Sequence, residues 1–554
     1  MKFLTPAVHF AAALVAICGI ASVAQAASPP NVLLLTLDTT RADALGAYLG
    51  KDGGGEARTP VLDGLAARGL RWAQAITPTP LTLPAHASLL TGLAPPEHGV
   101  RTNGTDVLSK EMPILAEAYG SRGYATAGFV ASPVLDRHFG LARGFGRYSD
   151  RLIVERSAGQ MTDTALEWLG RQPAGKPLFL WVHYHDPHAP YSFPGMDPKA
   201  TLAQRYAGEV ANMDREIGRL LAALPGSAER WLIAAVGDHG ESLGEHGEPD
   251  HGIFLYHSTM HVPLLLAGPG VPRGKVVDEA VSTRRLASTL LRLTGTSAGT
   301  SAGTSAGTSH RADLPFGRPL PGLPGLNAGA ASPVYMDNRY TLTAYGWSPL
   351  EGMFDGRYKL IVAPRPELYD LAADPGETRN LLEHQKGRAE ARRLKAALRE
   401  AQRSFAARPA PAAIADPELA RSLESLGYLS GSGTSGKGTL DPKDGPALLA
   451  ELAAAGELGQ RKDWPQAVAR LKELVRRSPG NVRFLLVLAR AQLEKGDDGA
   501  AIATYRQAIR ENPRRRESHI ELAAAYRRLG REAEAKKEDE VILKLLPPSA
   551  TAVE

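Results

Sequence analysis

Two unbroken apolar runs set the frame of the chain. Residues 31–37 read Asn-Val-Leu-Leu-Leu-Thr-Leu and stop at Asp38; residues 231–237 read Trp-Leu-Ile-Ala-Ala-Val-Gly and stop at Asp238-His239-Gly240. Runs of this kind mark strands buried on both faces. Residues 124–130 and 177–183 have the same character. Between them, residues 204–224 repeat with a helical period, with Tyr206, Val210, Met213, Ile217, Leu220 and Leu221 on one face. Strands alternating with helices from 31 to about 290 predict an α/β domain, a mostly parallel sheet sandwiched by helices.

Open sheets of this class bind ligands beyond the carboxyl ends of their strands. Asp38, Asp238 and His239 are delivered to that edge, an oxygen- and nitrogen-rich set suited to a metal ion. A third stretch supplies a reacting group. Residues 82–92, Thr-Leu-Pro-Ala-His-Ala-Ser-Leu-Leu-Thr-Gly, begin polar, turn apolar and end at glycine. This predicts a short helix with Thr82 at its mouth, where unpaired N–H groups and the dipole favour an anion. A plain turn before a buried helix is the alternative. Threonine is a weak nucleophile that a bound metal activates, so Thr82 is assigned as nucleophile and fourth metal ligand.

Residues 333–381 hold short strand-like pieces such as 358–362. Residues 294–309 repeat Gly-Thr-Ser-Ala, a composition that packs no core and predicts a low-complexity surface loop. Residues 401–445 read as a linker rich in Ala, Pro, Gly and Ser, with a helical patch at 419–429. After it Ala467, Ala501 and Ala535 recur at the same interval as Pro479, Pro513 and Pro547, and as Gly496 and Gly530. The spacing of about 34 residues is that of tetratricopeptide repeats. About two and a half such repeats are visible over 446–548, near the minimum for a stable stack. They predict an α-solenoid that offers a surface to a protein or peptide and leans on the catalytic domain.

Composition changes the picture at the N-terminus. Lys2, an apolar stretch over 11–23 and Ala24-Gln25-Ala26 form a signal peptide, residues 1–26. The stretch is short for a membrane span of about 20 apolar residues. The mature chain is therefore expected to be periplasmic or secreted, without a transmembrane span. Val15-Ala16-Ile17-Cys18-Gly19 is a poor lipoprotein box because Ile17 is bulky. Cys18 is the only cysteine, so the processed chain has no disulfide and no thiolate metal site. A net charge of +5 over 554 residues is too dilute to argue for nucleic acid.

At these residues the chain resembles the sulfatase branch of the alkaline phosphatase superfamily. Thr82-x-Pro84-x-His86 with Leu90-Thr91-Gly92 stands where that family has Cys/Ser-x-Pro-x-Arg and Leu-Thr-Gly. His185-Asp186-Pro187-His188-Ala189-Pro190-Tyr191, Asp238-His239-Gly240-Glu241 with Gly244-Glu245-His246-Gly247, Val262-Pro263-Leu264, and Glu367-Leu368-Tyr369-Asp370 with Asp374-Pro375 follow in the family's order. The resemblance covers residues 29–400 and implies an ester hydrolase with an alkaline-phosphatase-like sheet and a small C-terminal antiparallel sheet over 333–381. It also implies a divalent metal held by Asp38, Thr82, Asp238 and His239.

Four departures alter the expected chemistry. Thr82 cannot become formylglycine, because its extra methyl would give a ketone. His86 replaces the motif arginine, Thr39 follows Asp38 where a second aspartate is common, and His251 falls where a sulfate-binding lysine is expected. Threonine nucleophiles resemble instead those of nucleotide pyrophosphatase/phosphodiesterase and phosphonoacetate hydrolase relatives. There an asparagine like Asn103 binds an ester oxygen, and two zinc ions are held. Asp186, His188 and His251 are the residues that resemblance offers a second ion, with His185, His246, His257 and His261 also at hand. In ordinary sulfatases a histidine placed like His188 touches the ester without binding metal. The expected cofactor is zinc, one or two ions, with manganese or calcium as alternatives; His239 argues against a pure calcium site. The expected activity is hydrolysis of phosphodiester, phosphonate or phosphate esters through Thr82, with Asn103, His188 and His251 at the substrate. The alternatives are a conventional sulfatase and a degenerate enzyme whose repeats act as an interaction factor.

Overall fold

The computed structural model describes residues 29–49, 58–150, 155–193, 195–295, 316–383, 387–405, 419, 438 and 440–545. The expected leader at 1–26, the Gly-Thr-Ser-Ala repeat from 296 onward and most of the expected linker lie outside them. The strands are β1 (Asn31–Leu37), β2 (Leu70–Trp72), β3 (Ala75–Ile76), β4 (Ala125–Phe129), β5 (Arg147–Ser149), β6 (Leu178–Tyr184) and β7 (Trp231–Gly237). They continue with β8 (Leu264–Ala267), β9 (Lys275–Val277), β10 (Val281–Ser282), β11 (Val334–Asn338), β12 (Leu350–Phe354), β13 (Tyr358–Val362) and β14 (Glu367–Asp370). The main sheet runs β5-β4-β6-β1-β7-β8-β2-β9. Only β8 opposes its neighbours; β1 lies parallel between β6 and β7.

Side-chain alternation along a strand feeds two cores. Val32 and Leu34 of β1, with Phe179 and Trp181 of β6, face the layer built on the helix Thr82–Thr91. Leu33, Leu35 and Leu37 face the helices Ala158–Leu169 and Leu202–Ala222. The sheet is thus covered on both faces, as the unbroken apolar runs require. The antiparallel sheet β11-β12-β13-β14 follows, with the helix Arg388–Ser404 packed on it through Leu394 and Leu398.

The repeats form three helix pairs rather than two and a half. They are Gly445–Gln460 with Trp464–Arg477, Val482–Lys495 with Asp498–Glu511, and Arg516–Arg528 with Glu532–Lys544. Ala467, Ala501 and Ala535 are buried where each second helix meets the first. The first pair shows only half of the sequence period, because its turn is Arg461-Lys462-Asp463, without the glycine of the later two. The array does lean on the catalytic part: Leu448, Leu471, Phe484 and Leu488 share one core with Ile253, Phe254, Leu255 and Trp347. Arg483 stacks over Tyr345, 5.6 Å from the ring centre. Among the described residues no helix is long and apolar enough to cross a membrane.

Candidate active site

Strand parity decides which polar side chains meet. Asp38 continues the face of Val32 and Leu34, Asp238 continues that of Leu232 and Ala234, and His183 and His185 continue that of Phe179 and Trp181. Leu37 pairs with Tyr184 on one side and Gly237 on the other, so the three strand ends finish level. All four side chains therefore point towards the helix that starts at Thr82. That helix is buried at every residue and ends at Gly92, in the left-handed conformation (φ 74°) that glycine adopts without strain. A Cβ on Gly92 would also lie 2.3 Å from the Phe316 carbonyl.

The convergence is close. Thr82 Oγ1 lies 3.2 Å from His239 Nε2. His239 Nε2 stands 3.6 Å from Asp38 Oδ1 and 3.6 Å from Asp238 Oδ2. Each carboxylate has one oxygen occupied and one bare. Asp238 Oδ1 accepts N–H bonds from His239 (2.7 Å) and Thr39 (3.3 Å). Asp38 Oδ2 faces His183 Nε2 and His185 Nδ1, each at 3.2 Å. Asp38 Oδ1 and Asp238 Oδ2 are buried without a hydrogen-bond partner. His239 donates Nδ1–H to the Gly240 carbonyl at 2.9 Å, which leaves the Nε2 lone pair facing the same point. Two carboxylate oxygens, one imidazole nitrogen and one hydroxyl thus surround a position that a divalent cation fits.

Burial and mutual repulsion govern the charges. Burial and the charge of Asp38 push the Asp238 carboxyl well above its ordinary value. Burial acts the same way on Asp38, but the donors His183 and His185 more than offset it and hold it well below. Burial keeps His239 neutral and pushes His86 down to about 3. His86 therefore brings no positive charge to the place of the family's arginine; its Nδ1 bonds the Thr82 carbonyl at 2.8 Å.

The remaining expected residues ring this centre. Asn103 Oδ1 accepts the Leu83 N–H at 2.9 Å and so caps the first turn of the Thr82 helix. The His251 ring lies 4.4 Å from that of His239 and 5.3 Å from that of His188. Its Nδ1 bonds Glu241 Oε1 at 2.9 Å; despite burial, that carboxylate raises His251 to about 10. His188 donates Nδ1–H to the Ala189 carbonyl and burial lowers it to about 4. Asp186 is not among the donors gathered there from the described residues; burial and the neighbouring Asp186 raise Glu209 to about 7. His246, His257 and His261 belong to another cavity, of about 230 Å³, with Arg41, Asp43 and Glu377. His183 was not singled out by sequence, although its even spacing with His185, just past the end of β6, carried the signal. Neither was Glu241, whose carboxylate receives both His251 and the Tyr191 hydroxyl (3.2 Å).

A level row of strand ends, a helix-borne hydroxyl and paired carboxylates define an ester hydrolase of the alkaline phosphatase superfamily. Within it the catalytic part is sulfatase-like: residues 30–296 match the family model described as Sulfatase. Residues 452–514 and 499–550 match the tetratricopeptide repeat model. A curated sulfatase of Formosa agariphila is 25% identical over 435 residues, 62% of this chain and 81% of that one. Among solved structures, a 2-O GAG sulfatase aligns with a TM-score of 0.54 at 20% identity, over 71% of this chain and 96% of its own. The phosphonate monoester hydrolase of Agrobacterium radiobacter aligns with a TM-score of 0.52 at 21% identity, over 68% and 95%.

Proposed function

We propose that the chain hydrolyses phosphoryl-type esters (phosphodiester, phosphonate or phosphate) with Thr82 as nucleophile and Asp38, Asp238, His239 and Thr82 holding a divalent cation, preferably zinc. The observation that carries the reading is the Thr82 hydroxyl, 3.2 Å from His239 Nε2, at the position where the family's pattern has an oxidisable Cys or Ser. When bound, the cation offsets the negative charge of the ester and acidifies a hydroxyl beside it. The chain's own groups supply the rest. Thr82 Oγ1 gives its proton to solvent and attacks phosphorus in line, forming a P–O bond as the bond to the leaving oxygen breaks. His251, kept protonated by Glu241, gives that oxygen its proton. The Nδ2 end of Asn103 binds a non-bridging oxygen, while Oδ1 fixes the helix start. His188, with its proton on Nδ1, presents Nε2 to the water that then releases Thr82. That water gives a proton to His188 Nε2 as it adds to phosphorus and the Thr82 ester bond breaks; Thr82 Oγ1 and His251 recover their protons from solvent, to which His188 returns its own.

A conventional sulfatase is the second reading, favoured by the names of the relatives; the phosphonate monoester hydrolases among structural neighbours favour the first. The leader at 1–26 directs the chain out of the cytoplasm in either case, and the repeats offer a surface to a protein or peptide partner. A panel of nitrophenyl phosphate, phosphodiester, phosphonate and sulfate esters separates the two. Preference for the phosphorus esters is expected. A sulfate ester hydrolysed best by a wide margin would overturn the role of Thr82.

A further inference from the structure

We infer that His183 is a positioning residue and not a ligand: it settles which oxygen of Asp38 faces the cation. The inference rests on the cation reading above. His183 is fully buried on β6, in register with Thr36. Its Nδ1 accepts the Ala131 N–H at 3.2 Å. A neutral imidazole with its lone pair on Nδ1 carries its proton on Nε2. That proton side faces Asp38 Oδ2 at 3.2 Å, close though off the ideal line. His185 Nδ1 approaches the same oxygen, and its Nε2 stands 3.1 Å from Glu155. With Oδ2 engaged from two directions, only Oδ1 turns towards His239 Nε2.

The same histidine also sits with His86 and Asp238 in a buried group tight enough to cage a second ion. The tautomer argues against that use. Ligation through Nε2 would need the lone pair there and the proton on Nδ1, aimed at the Ala131 N–H. Two donors would then face each other in a buried site, a costly arrangement. Partners that orient a ligating carboxylate typically change metal affinity by about 10- to 100-fold when removed.

The test is zinc chloride titrated calorimetrically into the metal-stripped full chain, with bound zinc counted by mass spectrometry and folding followed by circular dichroism. His183→Asn keeps an acceptor for Ala131 and withdraws the donor from Asp38; His183→Gln reaches the position of Nε2. One zinc in the parent chain, binding about 10- to 100-fold weaker in His183→Asn, and recovery in His183→Gln are expected. Parent-like affinity in His183→Asn overturns the role. Two zinc ions in the parent and one in His183→Asn also overturn it, making His183 a ligand. If His183→Asn does not fold, His183→Gln decides: parent-like affinity supports the role and a 100-fold loss overturns it. A folded parent chain that takes up no zinc or manganese sinks the cation reading itself, a result distinct from all of these.

Discussion

Asp238→Asn should strengthen the metal-free protein while removing its response to metal. The replacement is isosteric. Its Oδ1 still accepts from the Thr39 and His239 N–H groups, and an amide nitrogen takes the place of Oδ2. In the parent chain two carboxylate oxygens, one each from Asp38 and Asp238, approach within 4.8 Å in a fully buried site. At an effective dielectric constant of about 20, two full charges at that distance repel by about 3.5 kcal/mol. The metal-free parent avoids part of this by keeping a proton on Asp238, whose carboxyl lies well above its ordinary value. The folded state therefore holds more protons than the unfolded state as pH rises from the ordinary carboxylate range towards that raised value. Stability of the metal-free parent is present at the acid end of that window and falls as pH rises through it. Asp38 is shifted the other way, so its contribution changes only below the ordinary range. Asp238→Asn should remove the loss, gaining up to about 3 kcal/mol at the alkaline end and nothing at the acid end. With zinc at 100 times its dissociation constant the parent should gain about 2.7 kcal/mol, which Asp238→Asn should lack. Denaturant unfolding of both chains between pH 5 and pH 9, with chelator and with zinc, measures all four quantities. The reasoning is refuted if Asp238→Asn is several kcal/mol weaker without metal, or if zinc still stabilises it as it does the parent.

Further expectations are smaller in scope. Thr82→Ala should lower kcat by at least about a thousandfold, with an unchanged circular dichroism spectrum; retained turnover would exclude a covalent threonine step. Asn103→Ala should cost about 1 kcal/mol through the lost cap on Leu83 N–H, and should reduce kcat/KM beyond what the fraction folded explains. Zinc affinity should weaken as pH falls, because Asp238 must shed its proton to bind; titrations in buffers of different ionisation enthalpy would reveal the released proton. Trp347→Ala, at a fully buried position beneath the repeats, should cost about 3–5 kcal/mol, read by chemical denaturation.

The parts of this molecule legible in the sequence are those fixed by one-dimensional pattern. Unbroken apolar runs announced β1, β6 and β7, and the residues after them fell at the sheet edge as strand geometry demands. The 34-residue period announced the repeats, although the first pair, with Arg461-Lys462-Asp463 at its turn, was only half visible. What stayed hidden was decided in three dimensions. Whether Asp186 joins the other carboxylates depends on the path of the chain after β6, which turns it towards Glu209. Glu241 and His183 meet partners ten or more residues away, His251 and Asp38, and no spacing rule links them. The second tier of the site is therefore harder to read than the residues nearest the ester, even though alternation along β6 had placed His183 on the right face.

The core shared between the repeats and residues 253–256 bears on how this protein can be dissected. Ile253 and Phe254 begin two residues after His251, and the helices Gly445–Gln460 and Val482–Lys495 are what shield them from water. A shortened protein ending before residue 440 would lay that greasy patch bare next to His251 and the candidate site. Trimming the chain for crystallisation or for fusion to another scaffold should accordingly begin after the third helix pair, not at the linker.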